Sequence, residues 1–175
     1  IGFVMLPEYT LSTFSNAVGI LRMANRLSGK ELYHWSLHSV GGQSVVSSAG
    51  LELALDGGLD AASEADIMLV CGGYSVKSHC DKPLLDGLRK MAKRKIPMGG
   101  ICTGSYALAA AGLLDGYRCT IHWENLASLR EEFPKLEISS SLFVIDRDRY
   151  TCSGGISSID LMLNLVASIH GHQLV

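Results

Sequence analysis

Cys102 stands in Gly100-Ile-Cys-Thr-Gly104, the cysteine form of a nucleophile elbow. An apolar run precedes it and an alanine-rich, helix-like stretch follows, so the cysteine falls between a strand end and a helix start. A side chain on that turn projects into the crevice at the carboxyl ends of the strands, where open α/β sheets bind ligands. The N-terminus of the following helix favours thiolate over thiol. The backbone N–H of Thr103 points towards any developing oxyanion. The plainer alternative is a small buried cysteine packed under a glycine-rich turn.

A second glycine pair, Cys71-Gly-Gly-Tyr-Ser75, follows the apolar run 67–71 in the same way. Its N–H groups, Gly73 in particular, face Cys102 across the crevice as the other half of an oxyanion site. An ordinary tight turn leaving a strand reads equally well. His122 follows a short strand at 119–121 and is the candidate base for Cys102 if the site is catalytic. It also reads as a hydrogen-bonding pocket wall or a satisfied core histidine. His170 and His172 have no other ligands placed beside them, so neither a metal nor a cofactor is expected.

These residues need a frame, and the hydropathy pattern supplies one. Strands are expected at 1–6, 33–40, 67–71, 98–102, 119–121, 142–145 and 150–152. Helices are expected at 11–27, 83–95, 103–111, 124–133 and 156–170. The first, third and fourth strands are almost continuously apolar, as when helices cover both faces of a parallel sheet. The alternation gives an α/β doubly wound fold. Asp81 or Asp60 is placed to cap a following helix, and Pro83 suits a first helical turn. Asp146-Arg-Asp-Arg149 reads as a hairpin turn between two strands. Arg89, Lys90, Lys93, Arg94 and Lys95 read as the solvated face of an amphipathic helix, not a DNA contact. The helix at 156–170 is apolar nearly all round, which points to the core or a dimer interface.

Composition narrows the function classes. The 175 residues are 47% hydrophobic and 18% charged, enough to fill one core, so a single domain over 1–175 is expected and disorder is not. A net charge of -2 argues against a dedicated nucleic-acid surface. No apolar run approaches the roughly 20 residues of a membrane span. Residues 1–6 lack the basic leader of a signal peptide. Five scattered cysteines make no disulfide framework and indicate a reducing, cytoplasmic setting. The chain begins with Ile1 within a strand-like run, so residues upstream are expected.

Several stretches together resemble the ThiJ/PfpI branch of the class-I glutamine-amidotransferase-like superfamily, and within it the sensor half of AraC-type transcription regulators. They are Phe3-Val-Met-Leu-Pro-Glu-Tyr-Thr-Leu11, Ile20-Leu-Arg-Met-Ala-Asn25, Gly100-Ile-Cys-Thr-Gly104, Ala111-Gly-Leu-Leu-Asp-Gly116, Thr120-Ile-His-Trp-Glu124 and Cys152-Ser-Gly-Gly-Ile-Ser-Ser-Ile-Asp160. The resemblance implies a flavodoxin-like, mostly parallel sheet with helices on both faces, and a homodimer. Enzymes of the superfamily set a carboxylate from the first helix region against the nucleophile. The matching position here is Thr13, and no Asp or Glu lies between Glu8 and Glu31. That departure argues for binding over hydrolysis or hydration.

By the same resemblance, the expected function is sensing a small nitrogenous metabolite, an amino acid or a quaternary amine. A cation would sit on the ring faces of Tyr74, Tyr106 or Trp123, and a carboxylate on the N–H groups of Gly73 and Thr103. Thr13, Cys102 and His122 complete the ligand-facing candidates. DNA would be bound only through helix-turn-helix motifs C-terminal to residue 175. The runner-up is a cysteine-dependent enzyme acting on an amide, isonitrile or aldehyde, with Cys102 as nucleophile and His122 carrying the proton. A redox sensor using Cys102 oxidation comes third.

Overall fold

The computed structural model describes residues 1–175, the side chain of Ser63 excepted. In chain order the elements are β1 (Gly2–Met5), α1 (Leu11–Ser28), β2 (Ser36–Ser39), β3 (Val45–Val46), β4 (Glu52–Leu53), β5 (Gly57–Gly58) and β6 (Met68–Cys71). Then come α2 (Lys82–Lys93), β7 (Met98–Ile101), α3 (Gly104–Ala110), β8 (Arg118–Cys119) and α4 (Leu126–Glu132). The chain closes with β9 (Glu137–Ile138), β10 (Phe143–Asp146), β11 (Arg149–Cys152) and α5 (Ser157–His170).

The main sheet has seven strands in the order β10-β11-β7-β6-β1-β2-β5. Every neighbouring pair is parallel except β10 with β11. Strand alternation divides the core into two layers. Phe3, Met5, Leu69, Cys71 and Ile101 face α1 and α5. Val4, Met68, Val70 and Met98 face α2, α3 and α4. Both faces are therefore dry, which is why these strands carry apolar residues at consecutive positions. This is the flavodoxin-like, doubly wound architecture expected from the sequence.

Local signals explain most boundaries. The Asp81 carboxylate accepts from the Leu84 N–H at 3.0 Å and caps α2, with Pro83 in its first turn. Arg89, Lys90, Lys93, Arg94 and Lys95 are all exposed, on the face away from Leu84, Leu88 and Met91. The helix ends at Lys93, two residues short of the expected end, because Arg94 leaves the helix and Lys95 turns into positive φ. Asp60 caps nothing; a short 3-10 turn follows it, and its carboxylate pairs with Lys90 at 2.8 Å. The expected hairpin is present, Asp146 opposite Arg149 with Arg147 at φ 54°. Helix α5 buries Leu161, Met162, Leu165 and Val166 beneath α1, while Asn164, Ser168 and Ile169 are exposed. Its apolar surface is thus a core face and not a whole circumference.

Three departures matter. The expected strand at 33–40 pairs only over Ser36–Ser39. The run 119–121 pairs only through β8, in a small parallel ladder with β9 and outside the main sheet. The hairpin β3–β4, β5 and β9 had no sequence signal, each being two residues long.

Candidate functional site

The register of the central strands builds the site. Met5 pairs with Cys71, and Cys71 and Cys152 both pair with Ile101, so four strands end level. The segments that leave them converge on one spot at the carboxyl edge of the sheet. Convergence demands glycine. A Cβ on Gly73 would lie 1.8 Å from the Glu8 carbonyl oxygen, and one on Gly104 would lie 1.9 Å from that of Val70. A Cβ on Gly154 would lie 2.9 Å from the Cys102 sulfur, and Gly154 also takes φ +89°. These three positions admit no side chain without displacing backbone or the thiol.

Cys102 occupies the turn itself, at φ 60°. A non-glycine residue there costs about 1–2 kcal/mol. It is held by its N–H to the Cys152 carbonyl (3.1 Å) and by its own carbonyl, which accepts from the His122 N–H (3.2 Å). The sulfur sits on the wall of a crevice of about 610 Å³, yet the residue is only 4% exposed. Burial pushes the thiol above its ordinary range; contacts from the Thr10 hydroxyl and the Thr103 N–H pull it back in part, and the Glu124 carboxylate pushes it up again. Burial therefore disfavours the thiolate at this position.

Thr10 is the neighbour of that sulfur, its Oγ1 3.5 Å from Sγ. Thr13, the position expected to oppose Cys102, lies elsewhere: its buried hydroxyl accepts from the Gly155 N–H at 2.9 Å and steadies the turn that carries Gly154. Thr10 comes just before α1 and one helical turn before Thr13, so the short step between them decides which hydroxyl meets the thiol.

Of the other expected site residues, Gly73, Tyr74, Thr103 and His122 line the crevice together with Cys102. The Thr103 hydroxyl donates to the Gly73 carbonyl at 2.8 Å and ties the two glycine-rich turns together. Tyr74 is 73% exposed at the rim. His122 contacts Cys102 through backbone; its Nδ1 lies 3.7 Å from the Glu124 carboxylate, and no imidazole bonds the sulfur among the described residues. Trp123 is turned outwards, 68% exposed, and is not on the crevice wall. Tyr106 faces the opposite side of α3, where its hydroxyl donates to Glu132 at 2.7 Å and its ring packs on Phe133.

Residues not anticipated complete the wall. Thr10, Ser48, Ser75, Lys77, Ser78, Glu124 and Asn125 all face it. Ser48 arrives on the β3–β4 hairpin, anchored by its N–H to the Tyr9 carbonyl at 2.9 Å. Glu124 and Asn125 follow directly from His122 and could have been found by extending that motif. Lys77 lies in a short 3-10 turn, Val76–His79, after the second glycine pair. No cluster of three or more metal-ligating side chains occurs among the described residues, and no helix described is long and apolar enough to cross a membrane.

The chemistry of this wall is that of a recessed polar site lined by hydroxyls, a carboxyl side chain (Glu124), a lysine (Lys77) and a thiol. A carboxylate or imidazole hydrogen-bonded to the sulfur, which would carry a proton in turnover, is missing among the described residues.

Comparison with known proteins places the fold in a family. Residues 15–168 match the DJ-1/PfpI family. The chain is 45% identical over 174 residues to the HTH-type transcriptional regulator GbdR of Pseudomonas aeruginosa, covering 99% of this chain and 47% of that protein. It is 41% identical over 172 residues to the HTH-type transcriptional regulator CdhR of the same species, covering 98% and 51%. The crystal structure of an AraC family transcriptional regulator from Pseudomonas putida superposes with a TM-score of 0.90 at 33% identity, over 99% of this chain and 93% of that one. The chain spans about half the length of the curated relatives it matches.

Proposed function

The chain belongs to the DJ-1/PfpI family, and from that premise we propose that it is the effector-sensing domain of an AraC-type transcription regulator. The observation that carries this reading is the hydroxyl of Thr10 beside the Cys102 sulfur. A neutral hydroxyl positions a thiol without exchanging its proton, so the elbow is kept as a wall of a binding site. The relatives named as transcriptional regulators support the same reading.

The effector is a small amino acid or quaternary amine. Glu124 and the rim ring of Tyr74 suit its cationic end, and the N–H groups of Gly73 and Thr103 suit a carboxylate. DNA is contacted by a different part of the full regulator. The domain works in the cytoplasm as a homodimer, and effector binding biases the regulator between two states.

A thermal-shift screen against amino acids, methylated amines, carnitine-like compounds and short amides tests this. An effector raises Tm in a dose-dependent way and is recovered unchanged; a hundredfold excess over Kd adds about 2.7 kcal/mol. The second reading, a cysteine-dependent hydrolase or hydratase, draws on the strained elbow of Cys102. Consumption of a compound, abolished by Cys102→Ser, would establish it and displace the sensor.

A further inference from the structure

Among the described residues Lys77 is the one lysine or arginine that lines the crevice, and its ammonium is turned to two residues that do not. Its Nζ is paired with the Glu132 carboxylate and lies 5.6 Å above the Tyr106 ring. Glu132 also accepts from the Tyr106 hydroxyl at 2.7 Å. Three elements meet in this contact. Lys77 belongs to the turn that walls the crevice, Tyr106 to the helix that starts after the Cys102 elbow, and Glu132 is the last residue of α4.

Resting on the effector reading above, we propose that Lys77 is the principal anion-holding side chain of the crevice, beside the N–H groups of Gly73 and Thr103, and is shared between two carboxylates. In this structure it serves Glu132; a ligand carboxylate entering the crevice takes it over. The effector is thereby specified as a carboxylate-bearing zwitterion, its cationic end towards Glu124.

Three physical features suit a handover. The Lys77 and Glu132 side chains are 49% and 34% exposed, and an ion pair that wet is weak enough to exchange. Glu132 keeps the Tyr106 hydroxyl when Lys77 leaves, so no acceptor is stranded. Glu132 also sits at the C-terminus of α4, where the helix carbonyls already concentrate negative charge. Withdrawing the ammonium therefore loosens the last turn of α4, which makes occupancy of the crevice legible at a second place on the surface.

Matched pairs of probes separate the parts of the proposal. L-arginine with agmatine, and carnitine with choline, share a cationic end and differ in the carboxylate. Calorimetry on the wild type should give binding by the carboxylated member and at least tenfold weaker binding by its partner. Lys77→Met should erase that preference, and Lys77→Arg should retain it. Glu132→Gln should tighten the carboxylated probe roughly two- to fivefold, the size that an exposed competing pair allows. Amide hydrogen exchange in α4 should rise with the zwitterion and not with the amine. Equal binding of both members, a preference that survives Lys77→Met, or weaker binding by Glu132→Gln would overturn the handover and leave the effector reading standing. Silence of every probe on all four proteins would sink the effector reading and the handover with it.

Discussion

The hydroxyl of Thr10 lies 3.5 Å from the sulfur of Cys102 and is its side-chain hydrogen-bond partner. A carboxylate there would raise or lower the thiol with its own protonation; a hydroxyl only tips the balance slightly towards thiolate. Burial outweighs it, and the thiol stays above its ordinary range.

That balance makes Cys102 slow to alkylate. At pH 7.5 iodoacetamide should modify it more slowly than a free thiol, whose pKa is about 8.5. Removing the Thr10 hydroxyl (Thr10→Val) should slow it further. Glu124→Gln should speed it, because the nearby negative charge disfavours thiolate. Peptide mapping by mass spectrometry separates Cys102 from the half-buried Cys80, whose thiol is pushed up to about 11 by burial. Rapid modification of wild-type Cys102 at neutral pH would contradict this account.

The glycines at the site should differ in what they tolerate. Gly155→Ala meets open space and suffers only positive φ, a cost of about 1–2 kcal/mol. Gly154→Ala adds a clash with Cys102 and should cost more, with partial relief in Gly154→Ala/Cys102→Ala. Gly104→Ala drives a Cβ into the Val70 carbonyl and should yield little folded protein. Urea melts that rank the three in another order would show that the turns relax more than their packing implies.

Asp81 offers a stability test remote from the site. Its carboxylate accepts the Leu84 N–H at the start of α2. Asp81→Ala should cost about 1 kcal/mol and lower Tm by roughly 2–4 °C in a chain of this size. Asp81→Ser should restore most of it, since serine also caps.

Acid stability should depend on the β10–β11 hairpin. Burial alone would raise the Asp148 carboxyl, but the Tyr117 hydroxyl and Arg149 outweigh it and hold it below the usual carboxylate range. Arg149 is itself buried, 2.8 Å from that carboxylate, and the guanidinium groups of Arg147 and Arg149 both lie over the Tyr117 ring, 3.9 and 4.6 Å from its centre. A depressed folded value means the stabilisation is complete above about pH 4, the unfolded value, and fades as pH falls through the folded one. Asp148→Asn should therefore lower stability at pH 7 and flatten its decline between about pH 5 and pH 3. An unchanged acid slope would place the sensitivity in other carboxylates.

Much of the site was legible because its pieces are local. Cys102, Thr103 and Gly73 sit in glycine-rich turns directly after apolar runs, and such a turn has one place to go at a sheet edge. His122 was legible for the same reason, and Glu124 lay two residues beyond it. The aromatic candidates fared differently. Tyr106 and Trp123 were singled out for closeness in sequence to the elbow, yet helical geometry turns Tyr106 to the far side of α3, and Trp123 points to solvent. Lys77 and Ser48 carried no pattern, being brought in by a 3-10 turn and a two-residue hairpin.

By itself the sequence determined the class of fold, the strands of the two-layered core and the elbow, because hydropathy period and turn chemistry act over a few residues. Tertiary structure decided which partners meet: Thr10 and not Thr13 at the sulfur, Lys77 paired with Glu132, Gly154 pressed on Cys102. Those pairings join residues 52 to 92 positions apart. They depend on strand register and loop closure, quantities set by the packing of the whole sheet and not by any window along the chain.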